Sequence, residues 1–366
     1  MNKKAILIVL GISAGLFPIL TASGYSIKPK SVKNIILMIG DGMGTAQVYS
    51  GYVYNKGSLN FQRFRTSGFS ITNSTSFVTD SGAGATAISA GKKTYNGAIG
   101  VDSTGQPVKT ILEWAEDFGK ATGLVATCAI THATPASFIS HQAQRSDYEL
   151  IAADFLKTDI DLFVGGGRNH FIKRKDSTNL VQKLTDKGYK VVYTTDELKT
   201  VASLPVAALL DTLHQPRWSE GREDQLPESV GEALRLLSAD PDGFFLMVEG
   251  SQIDWGSHDN NIGYVAQEVA DFDRAIGVAL DFAQQNGETL VIVTADHETG
   301  GLTLNDGKIP TGDITSHFTT TNHTGVMVPL FAYGPYSETF GGMQQNTDIF
   351  NKMIKAFGFL NSKNKK

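Results

Sequence analysis

The chain has 366 residues, 41% hydrophobic and 19% charged, a composition that excludes a disordered polymer and allows one large domain or two ordinary ones. Its formal net charge of −5 supplies no basic field for nucleic acid or an anionic membrane. The basic clusters, at Lys3-Lys4, residues 171–175 and the terminal NKK, are short and read as solvated surface.

In chain order, residues 1–24 come first, with a positive start, an apolar run and small residues at Ala22, Ser23 and Gly24. This is the pattern of a secretory signal peptide, which predicts a mature chain from residue 25 to 366, secreted or periplasmic and free of the membrane after cleavage. An uncleaved anchor is the rival reading, against which Gly11, Gly15 and Pro18 interrupt the apolar run. The single cysteine, Cys128, lies in GLVATCAI and reads as an inert core thiol, so no disulfide framework is expected.

Apolar runs then recur at 34–40, 123–130, 161–167, 243–250, 289–297 and 325–334, rich in Ile, Val, Leu and Phe, as in strands buried on both faces. Helical patterns lie between them: VKTILEWAEDFG, DYELIAADFL, SVGEALRLLS and a long stretch ending in AQQNG, whose glycine is a helix stop. Strands alternating with helices predict an α/β fold: a three-layer sandwich with a large, mostly parallel central sheet flanked by helices. No repeat or composition break divides the mature part, so one domain is expected, with residues 168–227 as a possible insertion or subdomain.

In open parallel sheets the ligand site lies beyond the carboxyl ends of the strands. After NIILMIG comes Asp41 in GDGMG; after GLVATCAI comes THATPA; after GFFLMV comes EGSQIDWGSHDNN; after TLVIVTA comes DHETGG. Four strand ends carrying metal-type or hydroxyl side chains suggest one polar, metal-binding crevice. Asp254 and His258 are four apart, which on a helix puts both on one face. Asp296 and His297 are adjacent and converge only if their strand has already ended. His323, before the last apolar run, would come from another part of the site. Carboxylate and imidazole together suit zinc, all-oxygen sets magnesium. Taken singly, Asp41 reads as a turn aspartate, the Asp254/His258 pair as surface, and Arg145 as a helix-surface charge. Glu249, after an apolar strand, is harder to leave unpaired. His141, His170, His214 and His317 carry no such context. In FVTDSGAGATAISAG, Ser81 heads a run of small residues, either for packing or to admit a ligand to a helix amino end. The elbow pattern G-x-S-x-G of Ser-His-Asp hydrolases is absent.

Together, DGMG, TDSGAGATA, THATPA, VEGSQIDWGSHDNN, TADHETGG and NHTG, in order from residue 41 to 325, resemble the motifs of the alkaline phosphatases. The resemblance implies an exported, homodimeric phosphomonoesterase with two zinc ions and one magnesium per subunit. It implies Ser81 as the phosphorylated nucleophile, with Arg145, thirteen residues after His132, gripping phosphate oxygens. Asp254, His258 and His323 match the first zinc's ligands, and Asp41, Asp296 and His297 the second's. Asp41, Thr134 and Glu249 match the magnesium's. In the inherited mechanism the leaving oxygen lies on the first zinc and the serine oxygen on the second, in line across phosphorus. Two positions depart from the best-known bacterial pattern. His132 stands where an aspartate is often found near magnesium, and Trp255 where a lysine or histidine approaches phosphate through water. A phosphodiesterase or sulfatase of the same broad superfamily is the nearest alternative, and a secreted phosphate- or zinc-binding protein without turnover is another.

Overall fold

The computed structural model describes residues 32–362; the stretch 1–24, read from sequence as a signal peptide, lies outside them. The strands are β1 (Asn34–Gly40), β2 (Thr66–Ile71), β3 (Ala121–Ala129), β4 (Leu162–Gly166), β5 (Lys190–Val192), β6 (Val206–Leu209), β7 (Phe244–Gly250), β8 (Thr289–Thr294), β9 (Glu298–Thr299), β10 (Leu302–Lys308), β11 (Asp313–Phe318), β12 (His323–Thr324), β13 (Val328–Tyr333) and β14 (Gly342–Gln345). Ten of them form one sheet in the order β14-β2-β13-β8-β1-β7-β3-β4-β6-β5. Every pairing in it is parallel except those of β13 with β8 and β2. Two ribbons, β10–β11 and β9–β12, stand apart from it.

Each central strand feeds two cores because successive side chains point to opposite faces. Ile35, Leu37 and Ile39 of β1 join one cluster, Ile36 and Met38 the other. β8 does the same with Leu290 and Ile292 against Val291 and Val293. Burying such side chains stabilises by roughly 1.5–3 kcal/mol each, which is why continuous apolar runs, not alternating ones, specify these strands. Helices cover both faces: Ser81–Ala90, Ala133–Ile139 and Asn346–Phe357 on one, Gln225–Leu237 and Ile262–Asn286 on the other. The long helix stops at Gly287, in the left-handed region at φ 68°, where its N–H closes on Ala283 O. Residues 168–227 add β5 and β6 to one edge of the same sheet.

The four strands whose ends carry the chemistry are neighbours, β8-β1-β7-β3, in the middle of the sheet. Chain order reverses around β1, which pairs with β7 on one side and β8 on the other. This is the switch point at which a crevice opens. Strands β2, β5, β6 and β14 were not legible as apolar runs; β2, for instance, is half exposed and interrupted by Gly68.

Candidate active site

Ser81 opens the helix Ser81–Ala90, and Asp80 is its N-cap, accepting from Ala83 N–H at 3.0 Å. The other Asp80 oxygen accepts from Arg145 at 2.9 Å, and the same guanidinium nitrogen reaches Ser81 Oγ at 3.4 Å. Burial opposes the Arg145 charge, and the Asp80 carboxylate more than offsets it. Asp80 therefore fixes the helix start and aims the arginine together. The sequence carried the cue, an aspartate directly before a helix start, but the reading gave Asp80 no role.

Small residues after Ser81 are needed for packing. A Cβ on Gly84 would lie 2.9 Å from Asp296 O, and one on Gly82 2.7 Å from Ala98 O. The helix is thus pressed against the turn that carries Asp296 and His297, and Ser81 Oγ ends 3.2 Å from His297 Nε2. Gly42 does similar work: at φ +71°, its Cβ would begin 2.8 Å from Asp254 Cα. The end of β1 can therefore sit on the helix Gln252–His258.

Three histidines converge there. His258 Nε2 is 3.3 Å from Asp254 Oδ2 and 3.2 Å from His323 Nε2, and His323 Nε2 is 3.7 Å from Asp254 Oδ1. Each ring spends Nδ1 on an oxygen: Thr321 O at 2.6 Å for His258, Thr79 O at 3.0 Å for His323 and Thr299 Oγ1 at 3.2 Å for His297. A ring nitrogen facing a carbonyl carries a proton, so Nε2 is the atom that His258 and His323 could each turn to an ion, His258 after giving up the proton it shares with Asp254. Thr299 donates in turn to Asp254 Oδ1 at 2.5 Å, so it accepts from His297. Asp254 is held below the usual carboxylate range: burial pushes it up, but the His258 hydrogen bond and the nearby His297 and His323 outweigh that. His258 is raised to about 9, chiefly by its hydrogen bond to Asp254.

Deeper in, Asp296 and His297 lie past the end of β8, in the turn before β9. His297 Nε2 is 3.2 Å from Asp296 Oδ2 and 3.4 Å from Asp41 Oδ1. Both Asp41 oxygens, Asp296 Oδ2, Glu249 Oε1 and Thr134 Oγ1 are buried without a hydrogen-bond partner. Orphaned buried carboxylates are costly, and their repulsion appears in their acidities. Burial, then Asp296, Asp254 and Glu249, raise Asp41 well above its ordinary value. Burial raises Glu249 to about 7, and burial followed by Asp254 raises Asp296 to about 6. Divalent cations satisfy this donor set: oxygens with no other partner, and imidazole lone pairs facing them. Asp41, Asp296 and His297 lie within ligand range of one ion, as do Asp254, His297 and His323.

A third group brings Cys128 beside His132 and Glu249, with Cys128 Sγ 3.3 Å from Glu249 Oε2. The core thiol expected from sequence is buried, and it borders the site. His132 Nε2 accepts from Arg145 at 3.4 Å, and Nδ1 has no partner. Burial, with help from Arg145 and His214, drives His132 down to about 3, so it is a neutral ring. Trp255 stands edge-on to His132, ring centroids 6.2 Å apart, and to His214 at 4.8 Å. His214, given no role from sequence, is pinned by Ala129 N–H donating to Nδ1 at 3.1 Å. His170 bonds Thr131 and stacks on Tyr148, while His141 bridges Gly100 O and Glu113. His317 sits in β11, opposite Thr303. All twelve residues singled out from sequence thus gather on the crevice. Asp80, Thr79, Thr299, His214 and Cys128 complete it.

Fold and crevice together define a three-layer α/β protein with a serine and an arginine set into a metal-ligand cluster. The profile of the alkaline phosphatase family matches residues 32–316, and the chain belongs to that family. It is 37% identical to alkaline phosphatase 3 of Bacillus subtilis (strain 168), over 90% of this chain and 89% of the relative. It is 31% identical to the alkaline phosphatase of Escherichia coli (strain K12), over 91% and 88% respectively. The solved alkaline phosphatase from the Antarctic bacterium TAB5 superposes with a TM-score of 0.87 at 43% identity, covering 90% of this chain and 99% of that one. A solved variant of that enzyme, with a histidine replaced by aspartate, has magnesium bound in its M3 site. The chain is accordingly a phosphatase acting on phosphate monoesters, and a metal-binding one.

Proposed function

We propose that the protein hydrolyses phosphate monoesters to an alcohol and inorganic phosphate through a phosphoserine on Ser81, using two zinc ions and one magnesium ion. The observation that carries this is Ser81 Oγ, 3.2 Å from His297 and 3.4 Å from Arg145, beside buried carboxylates that lack partners. Asp254, His258 and His323 would hold one zinc, Asp41, Asp296 and His297 the other, and Asp41, Thr134 and Glu249 the magnesium. When bound, the ions supply charge that stabilises the serine alkoxide, the leaving oxygen and the phosphoryl group.

Ser81 Oγ attacks phosphorus, the ester P–O bond breaks, and the alcohol leaves with a proton. Water then cleaves the phosphoserine, restoring the hydroxyl and releasing phosphate. Arg145, aimed by Asp80, fits two phosphate oxygens with its planar fork. A neutral His132 brings no carboxylate to the third ion. The magnesium in the M3 site of the TAB5 histidine-to-aspartate variant supports magnesium as the third ion. Trp255 brings no positive charge, so product phosphate is held more loosely. The mature chain acts as one exported domain, secreted or periplasmic, and as a homodimer. It has no specific affinity for nucleic acid.

Aryl phosphate, bis-aryl phosphate and aryl sulfate, assayed with chelator and with added zinc, test the reading. Monoester cleavage should dominate, vanish on chelation and return with zinc. Monoester turnover that survives chelation contradicts it.

A further inference from the structure

Phe77, four residues before Ser81, is 83% exposed, the most exposed phenylalanine among the described residues. Two residues on, Thr79 O accepts from His323 Nδ1 at 3.0 Å, which ties this loop to the outer histidine cluster. The same contact is made again from the other side. A Cβ on Gly325, two residues past His323, would lie 2.6 Å from Phe77 Cε1, so the ring rests directly on that backbone. Val326 and Met327 follow, 50% and 39% exposed. Phe77, Val326 and Met327 are therefore exposed apolar residues on the two chain segments that carry Thr79 and His323, while Arg145 reaches Ser81.

In an in-line displacement the alcohol departs on the side opposite the attacking Ser81 oxygen. If the reading above holds, that side faces the outer cluster. We propose that Phe77 forms the wall of a leaving-group subsite that takes monoesters whose alcohol carries an aromatic ring. Phe77 offers an aromatic face where phosphate-centred recognition otherwise leaves the organic group in water. Stacked or edge-on aromatic pairs gain beyond their buried area, and a ring supported by Gly325 is already ordered for it. A small polyol offers nothing to that face, so the subsite sets preference among alcohols and leaves the reacting groups unchanged.

The test uses the zinc- and magnesium-loaded protein and the variants Phe77→Ala and Phe77→Tyr. Calorimetric dissociation constants for phenylphosphonate and methylphosphonate read the subsite without turnover. The wild type should prefer the phenyl compound, Phe77→Ala should lose about threefold to tenfold of that preference, and Phe77→Tyr should keep it. The kcat/KM ratio of naphthyl phosphate to glycerol phosphate should shift in parallel. A preference unchanged in Phe77→Ala overturns the subsite, including where that variant elutes as a smaller species and the ring proves to serve a subunit contact. A wild type that turns over neither ester overturns the phosphatase reading, and this one with it.

Discussion

At the outer end of the crevice, His258 keeps 36% of its side chain exposed and Asp254 7%. At the inner end, Asp41 and Asp296 are wholly buried beside His297. The outer ligands already have partners, since they bond one another and each histidine is anchored through Nδ1. The inner carboxylates have oxygens with none. The two ends thus solve opposite problems. The outer end must orient donors that could otherwise turn to water, and does so with threonine and carbonyl oxygens. The inner end has donors that cannot turn away, and needs cations to be tolerable at all.

Thr299 is where the outer arrangement is easiest to break. Thr299→Val removes the hydroxyl that links His297 to Asp254, and zinc affinity at the outer ligands should fall about 10- to 100-fold, measured by chelator competition. Unchanged affinity would mean that packing alone orients the rings. Acidity sharpens the comparison next. Metal must displace the protons on its ligands, so affinity rises by about tenfold per pH unit for each proton displaced. With His258 at about 9, outer-site affinity should keep rising to about pH 9. With Glu249 at about 7, Asp296 at about 6 and Asp41 also raised by burial, inner-site affinity should rise with pH as these carboxylates lose their protons. Binding isotherms from pH 6 to 9.5, about the span needed to bracket His258, should show the outer-site rise continuing to about pH 9; an outer-site affinity already level at pH 7 would contradict it. The smallest effect belongs to the rim. Trp255→Lys places an ammonium near the phosphate, and inorganic phosphate inhibition should tighten about twofold to fivefold, as for a solvent-screened charge pair. An unaltered inhibition constant would remove Trp255 from the account.

The central sheet was legible because β1, β3, β7 and β8 are continuous apolar runs, and strand-end position then gathered the ligands of both clusters except His323, which opens β12. The apolar run at 289–297 ends as a strand at Thr294, which meets the condition under which Asp296 and His297 were expected to converge. The edge strands were not legible: β5 has only three residues, and β2 alternates between intermediate and exposed positions. The anchoring shell was hidden for another reason. Thr299 and Thr79 act on residues far away or through backbone, and a threonine in sequence does not announce a histidine that folds beside it. Of the two roles the sequence left open for Gly82 and Gly84, the packing one becomes visible only in the fold, where Asp296 presses against that helix.

The central claim is that Ser81 carries the phosphoryl group between two transfers. Acid quench of the zinc-loaded protein during turnover of an aryl phosphate, followed by peptide mass spectrometry, tests it directly. The account predicts phosphate on the peptide at Ser81, and in Ser81→Ala no phosphopeptide, retained metal and turnover lower by at least about a thousandfold. Phosphate on a different residue, or full turnover in Ser81→Ala, would contradict it.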